Sequence, residues 1–119
     1  MLKGKVAELI GAWLIVECLP KNTHESEISP LRETISTAVE NGKNVLLNME
    51  LIKSIDSLDA HVLVLAQGTV NRKKGQFKLW GLTERVEKYL KEVDLYEIFQ
   101  VLEAKTLDEA KASLNRAPD

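Results

Sequence analysis

From Ser29 onward this chain alternates helical and strand periodicity, and that alternation restricts the folds open to it more than any other feature. Ser29-Pro30 reads as a helix start, because proline in a first turn gives up an amide hydrogen that would have no partner. Leu31, Ile35, Ala38 and Val39 share one side of the helix, Arg32, Glu33, Ser36 and Glu40 the other, and Asn41-Gly42 supplies a left-handed stop. Val45-Leu46-Leu47-Asn48-Met49 is a nearly continuous apolar run, the pattern of an interior strand covered on both faces. Asp56 or Ser57 can then cap a second helix. Its broad apolar stripe holds Leu58, Val62, Leu65, Ala66, Thr69 and Val70, and Leu63 and Val64 widen it.

Phe77 and Leu79 alternate with Gln76 and Lys78 in a further strand, closed by Gly81. Thr83 is expected to cap a third helix built on Val86, Tyr89, Leu90 and Val93, and Ile98 to Leu102 to form the last strand. Thr106 and Glu109 stand at the spacing of a capping box before a final helix with Leu107, Ala110 and Leu114. At the other end, Val6 to Ile10 and Trp13 to Leu19 flank Gly11-Ala12 as a tight hairpin, and Pro20 to Ser26 is a polar loop without a period. A hairpin followed by helix-strand units requires crossover helices between parallel neighbours. The expected fold is α/β, with a mainly parallel central sheet, an N-terminal antiparallel hairpin and four helices. It forms a single domain over residues 1–119 with its core at about 6–114, and Asn115 to Asp119 is expected to fray.

Composition narrows the function. Sixteen Lys plus Arg stand against 18 Asp plus Glu, a formal net charge of -2, so no excess of positive charge is available for a nucleic-acid backbone. Arg72-Lys73-Lys74 is short and ends a helix, where cations complement the dipole. Cys18 is the lone cysteine, which rules out an intrachain disulfide and points to a reducing compartment. The apolar runs are too short to span a bilayer and no leader-like segment opens the chain, so the expectation is a soluble, cytoplasmic protein without membrane insertion.

The segment from Asn48 to His61 is distinctive, since a buried strand there leads through a loop into a helix N-terminus. In mainly parallel sheets ligands and partners gather beyond the carboxyl ends of strands, where a hydroxyl on Ser57 would sit. The plainer role for Asp56 and Ser57 is capping. His61 lies four residues after Ser57 and shares its side of the helix, but no third orienting group or oxyanion site accompanies the pair, so an enzyme is not expected. His24 beside Glu25 lacks clustered carboxylates, hence no metal is expected. No glycine-rich phosphate loop suggests a cofactor: Gly75 and Gly81 read as turn residues, and Gly68 inside a helix as a point of close packing. Trp13 and Trp80 read as core residues.

Taken together, the hydrophobic strand ending in Asn48 with Glu50 after it, the hydrophobic-Asp-Ser of Ile55-Asp56-Ser57, and the apolar helix with Val62 to Leu65 resemble the STAS domain. So do Gly75 with Phe77-Lys78-Leu79-Trp80-Gly81-Leu82, Asp94-Leu95 and Ile98-Phe99, and the resemblance runs from about Val6 to Leu114. STAS is the fold of bacterial anti-sigma factor antagonists and stressosome scaffolds. The resemblance implies a non-enzymatic regulator of transcription in bacterial signalling that binds an anti-sigma factor or serine kinase protein. Ser57 would be the phosphorylated residue and Asp56, Ser57, Leu58, Asp59 and His61 the partner-binding ones. It equally allows a constitutive scaffold or assembly subunit, stressosome-like or in a lipid-transport complex, without phosphorylation, and leaves homo-oligomerisation open. Leu58-Asp59-Ala60-His61 stands where many antagonists place a small residue and glycines, and Glu17-Cys18-Leu19-Pro20 replaces the usual Gly-acidic-Leu-Asp stretch.

Overall fold

The computed structural model describes residues 2–114. The chain opens with the hairpin: β1 (Lys3–Ile10) returns as β2 (Trp13–Leu19) through Gly11, whose φ of 57° lies in the left-handed region. After β3 (Ile28–Pro30) come α1 (Leu31–Glu40), β4 (Asn44–Asn48), α2 (Ser57–Arg72) and β5 (Phe77–Trp80). The chain continues through α3 (Glu84–Glu92), a 3-10 turn at Tyr96–Ile98, β6 (Gln100–Val101) and α4 (Leu107–Leu114). The strands make one six-stranded mixed sheet in the order β3-β1-β2-β4-β5-β6. β1 runs antiparallel to both neighbours, whereas the pairings from β2 through β6 are parallel, as crossover helices require.

Alternation along the strands splits the core into two layers. Val16 and Cys18 of β2, Val45 and Leu47 of β4 and Leu79 of β5 face α1, α2 and α3, where Leu31, Ile35, Leu63, Val86 and Leu90 are fully enclosed. The intervening Trp13, Ile15, Leu46 and Trp80 pack with Ala110 and Leu114 of α4. β4 is thus buried on both sides, which its unbroken apolar run demanded. Both tryptophans are core residues, and the Trp80 indole N–H donates to the Ala104 carbonyl at 3.0 Å. α1 lies close on β1: a Cβ on Gly4 would come within 3.0 Å of the Leu31 and Thr34 side chains.

Several local expectations are corrected. Ser29-Pro30 belongs to an edge strand, with Lys3 opposite Pro30 and Lys5 opposite Ile28, and Pro30 is the residue before the helix rather than its first member. An edge position tolerates the missing amide, and three residues are too few to show alternation. The expected strand over Ile98 to Leu102 shrinks to Gln100–Val101, because Tyr96–Ile98 winds into a 3-10 turn whose Ile98 carbonyl accepts from the Gln67 side chain at 2.8 Å. Thr83 occupies the N-cap position of α3 but its hydroxyl donates to the Ile52 carbonyl at 3.1 Å, so it does not cap. Thr106 accepts from the Glu109 amide as expected, while the Glu109 carboxylate takes the Lys105 amide. Gly68 makes no close packing, since a Cβ there would meet nothing within 4 Å. On α2 the buried side is Ala60, Val62, Leu63, Ala66 and Val70; Leu58, placed in the apolar stripe, is 73% exposed, and Leu65 37%. The tail from Asn115 to Asp119 lies outside the described residues.

Candidate functional site at the tip of α2

The segment from β4 to α2 is pinned at both ends. Asn48, buried at the end of β4, accepts from the Glu50 amide through its side-chain oxygen and donates to the Glu50 carboxylate, each at 3.0 Å. The Met49 amide donates to Trp80, tying the exit of β4 to β5. Ile52 and Ile55 then insert into the core while Leu51, Lys53 and Ser54 stay exposed. Two buried side chains three residues apart, together with the Thr83 hydroxyl on Ile52, hold the loop against the sheet and deliver Asp56 to the start of the helix.

Asp56 is the N-cap, which settles the choice between it and Ser57. Its carboxylate accepts from the Asp59 amide at 2.9 Å, and the Asp59 carboxylate accepts from the Asp56 amide at 3.1 Å, a reciprocal capping box. The Asp59 amide, with lesser help from the Leu58 amide and the Lys21 ammonium, holds the Asp56 carboxyl below its ordinary 3.8 against a smaller opposing cost of desolvation. With both carboxylates engaged, Ser57 is the first residue of the helix. It is exposed, and among the described residues no hydrogen bond engages its hydroxyl.

Leu58, His61 and Leu65 follow at i, i+3 and i+7 as one exposed stripe along α2. With Lys21, Arg32, Asp56, Asp59 and Val62 they line a groove of about 370 Å³ between the N-terminal ends of α1 and α2. A larger hollow of about 590 Å³ opens on the other side of Asp56, between Pro20, Lys21 and Asn22 after β2 and Lys53, Ser54 and Ile55 before α2. Asp56, Leu58, Asp59 and His61 are therefore brought together, whereas Ser57 sits beside both hollows and lines neither. Lys21 and Arg32 are the groove residues that sequence reasoning missed. They arrive from a loop and from another helix, so no local spacing announces them.

His61 and Ser57 make no hydrogen bond to each other among the described residues, and no third group completes a nucleophile there. The described residues hold no group of three His, Cys, Asp or Glu side chains able to bind a metal, and His24 is exposed on the loop after β2. Beneath the site, burial first and the Asp59 charge second push the Cys18 thiol up to about 12. A thiol held neutral in this way is a packing residue rather than a nucleophile.

A mixed six-stranded sheet, three helices on one face, a fourth on the other and a serine-tipped helix after the central strand define an α/β domain with the fold of the anti-sigma factor antagonists. The chain belongs to the STAS family, whose model, described as STAS domain, matches residues 26–110. Among solved structures, the STAS anti-sigma-factor antagonist from Planctomyces limnophilus aligns with a TM-score of 0.72 at 17% identity, covering 95% of this chain and 98% of the other. The antagonist SpoIIAA in its unphosphorylated form gives 0.73 at 18% identity over 98% and 99% of the two chains. Its phosphorylated form, from Bacillus, gives 0.69 at 16% over 94% and 99%. A serine-to-glutamate variant of RsbS from Moorella thermoacetica gives 0.61 at 16% over 94% and 98%. No curated protein matches the sequence. Among the described residues no helix is long and apolar enough to cross a membrane.

Proposed function

We propose that this domain is an anti-sigma factor antagonist that docks on a partner protein, an anti-sigma factor or serine kinase, and is released by phosphorylation of Ser57. The observation that supports this reading is the exposed hydroxyl at the first position of α2, which no hydrogen bond engages among the described residues. The γ-phosphoryl group of ATP would move to the Ser57 oxygen, the hydroxyl proton passing to a base on the kinase and ADP leaving. The phosphate adds about -1.5 to -2 charge and three acceptor oxygens. At a helix N-terminus that charge meets exposed amides and the positive end of the dipole, so the fold tolerates it. At a contact surface the same charge must be desolvated beside Leu58, and binding is lost. The protein itself supplies no catalysis and works in the bacterial cytoplasm.

One observation favours a second reading, a constitutive scaffold without phosphorylation: Asp56 and Asp59 place two carboxylates within a turn of Ser57, and a phosphate there would face both. The two readings separate in one experiment. Incubation of the purified protein with its cognate kinase and ATP is followed by intact mass, with Ser57→Ala as control. The first reading expects one added phosphate in the wild type and none in the variant; an unmodified wild type that still binds its partner supports the scaffold.

A further inference from the structure

β1 outruns its edge partner. β3 pairs only with Lys3, Gly4 and Lys5, so along residues 6–10 the side of β1 turned away from β2 has no strand beside it. No other backbone group bonds to that stretch among the described residues. Val6 is 50% exposed and Leu9 56%. Three residues apart on a regular strand, they would point to opposite faces. The bulge at Ala7 shifts the register, setting Val6 opposite Val16 and Leu9 opposite Leu14, so both lie on the face that α1 covers.

The charge on that face has one sign. A cavity of about 150 Å³ between β1, β3 and α1 is lined by Gly4, Val6 and Thr37 together with the carboxylates of Glu27 and Glu33, and by no cation. Neither glutamate enters an ion pair among the described residues. The lysines of β1 are elsewhere: Gly4 packs on α1, so Lys3 and Lys5 alternate to the opposite face. There Lys3 donates to the Thr23 carbonyl and Lys5 pairs with Glu25. Glu8 shares that opposite face and lies 2.7 Å from the Lys111 ammonium.

We infer that the open edge of β1 receives an extended segment of a partner protein, added as a strand in line with β3. On the α1 face that segment carries a Lys or Arg against Glu27 and Glu33 and, two residues away, an apolar side chain against Leu9. Unpaired ladder groups select an extended backbone, because a helix satisfies its own amides and carbonyls and has none to offer. The carboxylates then select the sign of the side chain. A second copy of this chain fits less well. Its own open edges, residues 6–10 of β1 and Gln100–Val101 of β6, contain no cation, and the bulge suits a short segment rather than a long flat pairing. None of the cavity residues lines either hollow at the tip of α2, so this surface is additional to the docking role of Ser57.

The test uses the full chain and short synthetic peptides, with amide chemical-shift mapping and hydrogen exchange as readouts. The parent peptide alternates threonine with lysine and valine, so that lysine and valine share a face. A second has glutamate in place of lysine. Two more repeat the parent with N-methyl groups either on the threonine nitrogens or on the others, which keeps charge and side chains and removes one edge's donors. The parent is expected to shift the amides of Val6, Leu9, Glu33 and Thr37 and to slow exchange of those amides in residues 6–10 that β2 leaves free. It should bind more tightly than the glutamate peptide, with affinity falling as salt is added. One methylated form should bind about tenfold more weakly than the parent and the other as the parent does. Glu33→Gln, at an exposed position of α1 where the fold does not need the charge, should weaken the parent roughly threefold.

Equal or tighter binding of the glutamate peptide would overturn the inference, as would two methylated forms that both match the parent, perturbations centred elsewhere, or no binding. Concentration-dependent protection of residues 6–10 in the protein alone would also overturn it and give the edge to a second copy.

Discussion

The Asp59 amide lies 2.9 Å from the Asp56 carboxylate while the Asp56 amide lies 3.1 Å from the Asp59 carboxylate, so two acidic residues close the start of α2 on each other. Aspartate here fills the third-position role more often taken by glutamate. Ser57 stands between the two, exposed, and outside the box's hydrogen bonds. Capping and presentation of the serine are thus one local structure.

That box titrates. The folded-state pKa of Asp56 is depressed below 3.8, chiefly by the Asp59 amide, so its contribution to stability is present above 3.8 and is lost as pH falls through the lower folded value. Asp56→Asn keeps a side-chain oxygen for the cap but does not titrate. Urea unfolding midpoints measured down an acid series should therefore show the wild type losing stability relative to the variant below 3.8. Parallel curves for the two proteins at every pH would contradict this.

A charge at residue 57 should alter contacts without altering the fold. Ser57→Glu places a carboxylate in the first turn, where the dipole favours it by about 0.3–1 kcal/mol. Its urea stability should equal or slightly exceed that of the wild type, with an unchanged circular dichroism spectrum, while partner binding falls. A loss of several kcal/mol in the variant would mean that the switch acts on folding.

Two glycines should respond oppositely to alanine. At Gly4 a Cβ meets Leu31 and Thr34 at 3.0 Å, so Gly4→Ala should cost about 1–3 kcal/mol by forcing α1 away from β1. At Gly68, inside α2, nothing lies within 4 Å, and Gly68→Ala should stabilise by roughly 0.5–1 kcal/mol through helix propensity alone. Chemical denaturation of the pair measures both, and a stabilising Gly4→Ala would show that α1 yields more readily than its packing suggests.

Cys18 should be inert to thiol reagents in the native protein and react at the rate of unfolding. Its pKa rises from 9.0 to about 12 through burial. The unfolded chain ionises first, so stability should decline as pH rises from 9.0 towards about 12. Cys18→Ala, which cannot ionise, should flatten that decline at the expense of a small cavity; rapid labelling of the native wild type at neutral pH would refute the assignment.

Much of this architecture could be read directly from the chain. The order of helices and strands, the double burial of β4, the hairpin at Gly11 and the cap ahead of Ser57 each follow from a pattern shorter than about twenty residues, the range over which backbone periodicity operates. Of the shortest elements, β3 escaped that reading, and the strand expected over Ile98 to Leu102 was read too long around β6. β3 and β6 are strands because β1 and β5 lie alongside to pair with them, and nothing in Ile28–Pro30 or Gln100–Val101 alone demands it.

Sequence by itself determined that a serine would stand at the head of a capped helix behind a buried strand, because capping and alternation are decided by neighbours along the backbone. Tertiary structure decided which side of α2 that helix shows. Apolar residues surround it almost completely, and contact with the sheet chose Leu63 for burial and left Leu58 and Leu65 in water. The same packing brought Lys21 and Arg32 across to face them, a meeting of three distant segments that no stretch of chain encodes alone.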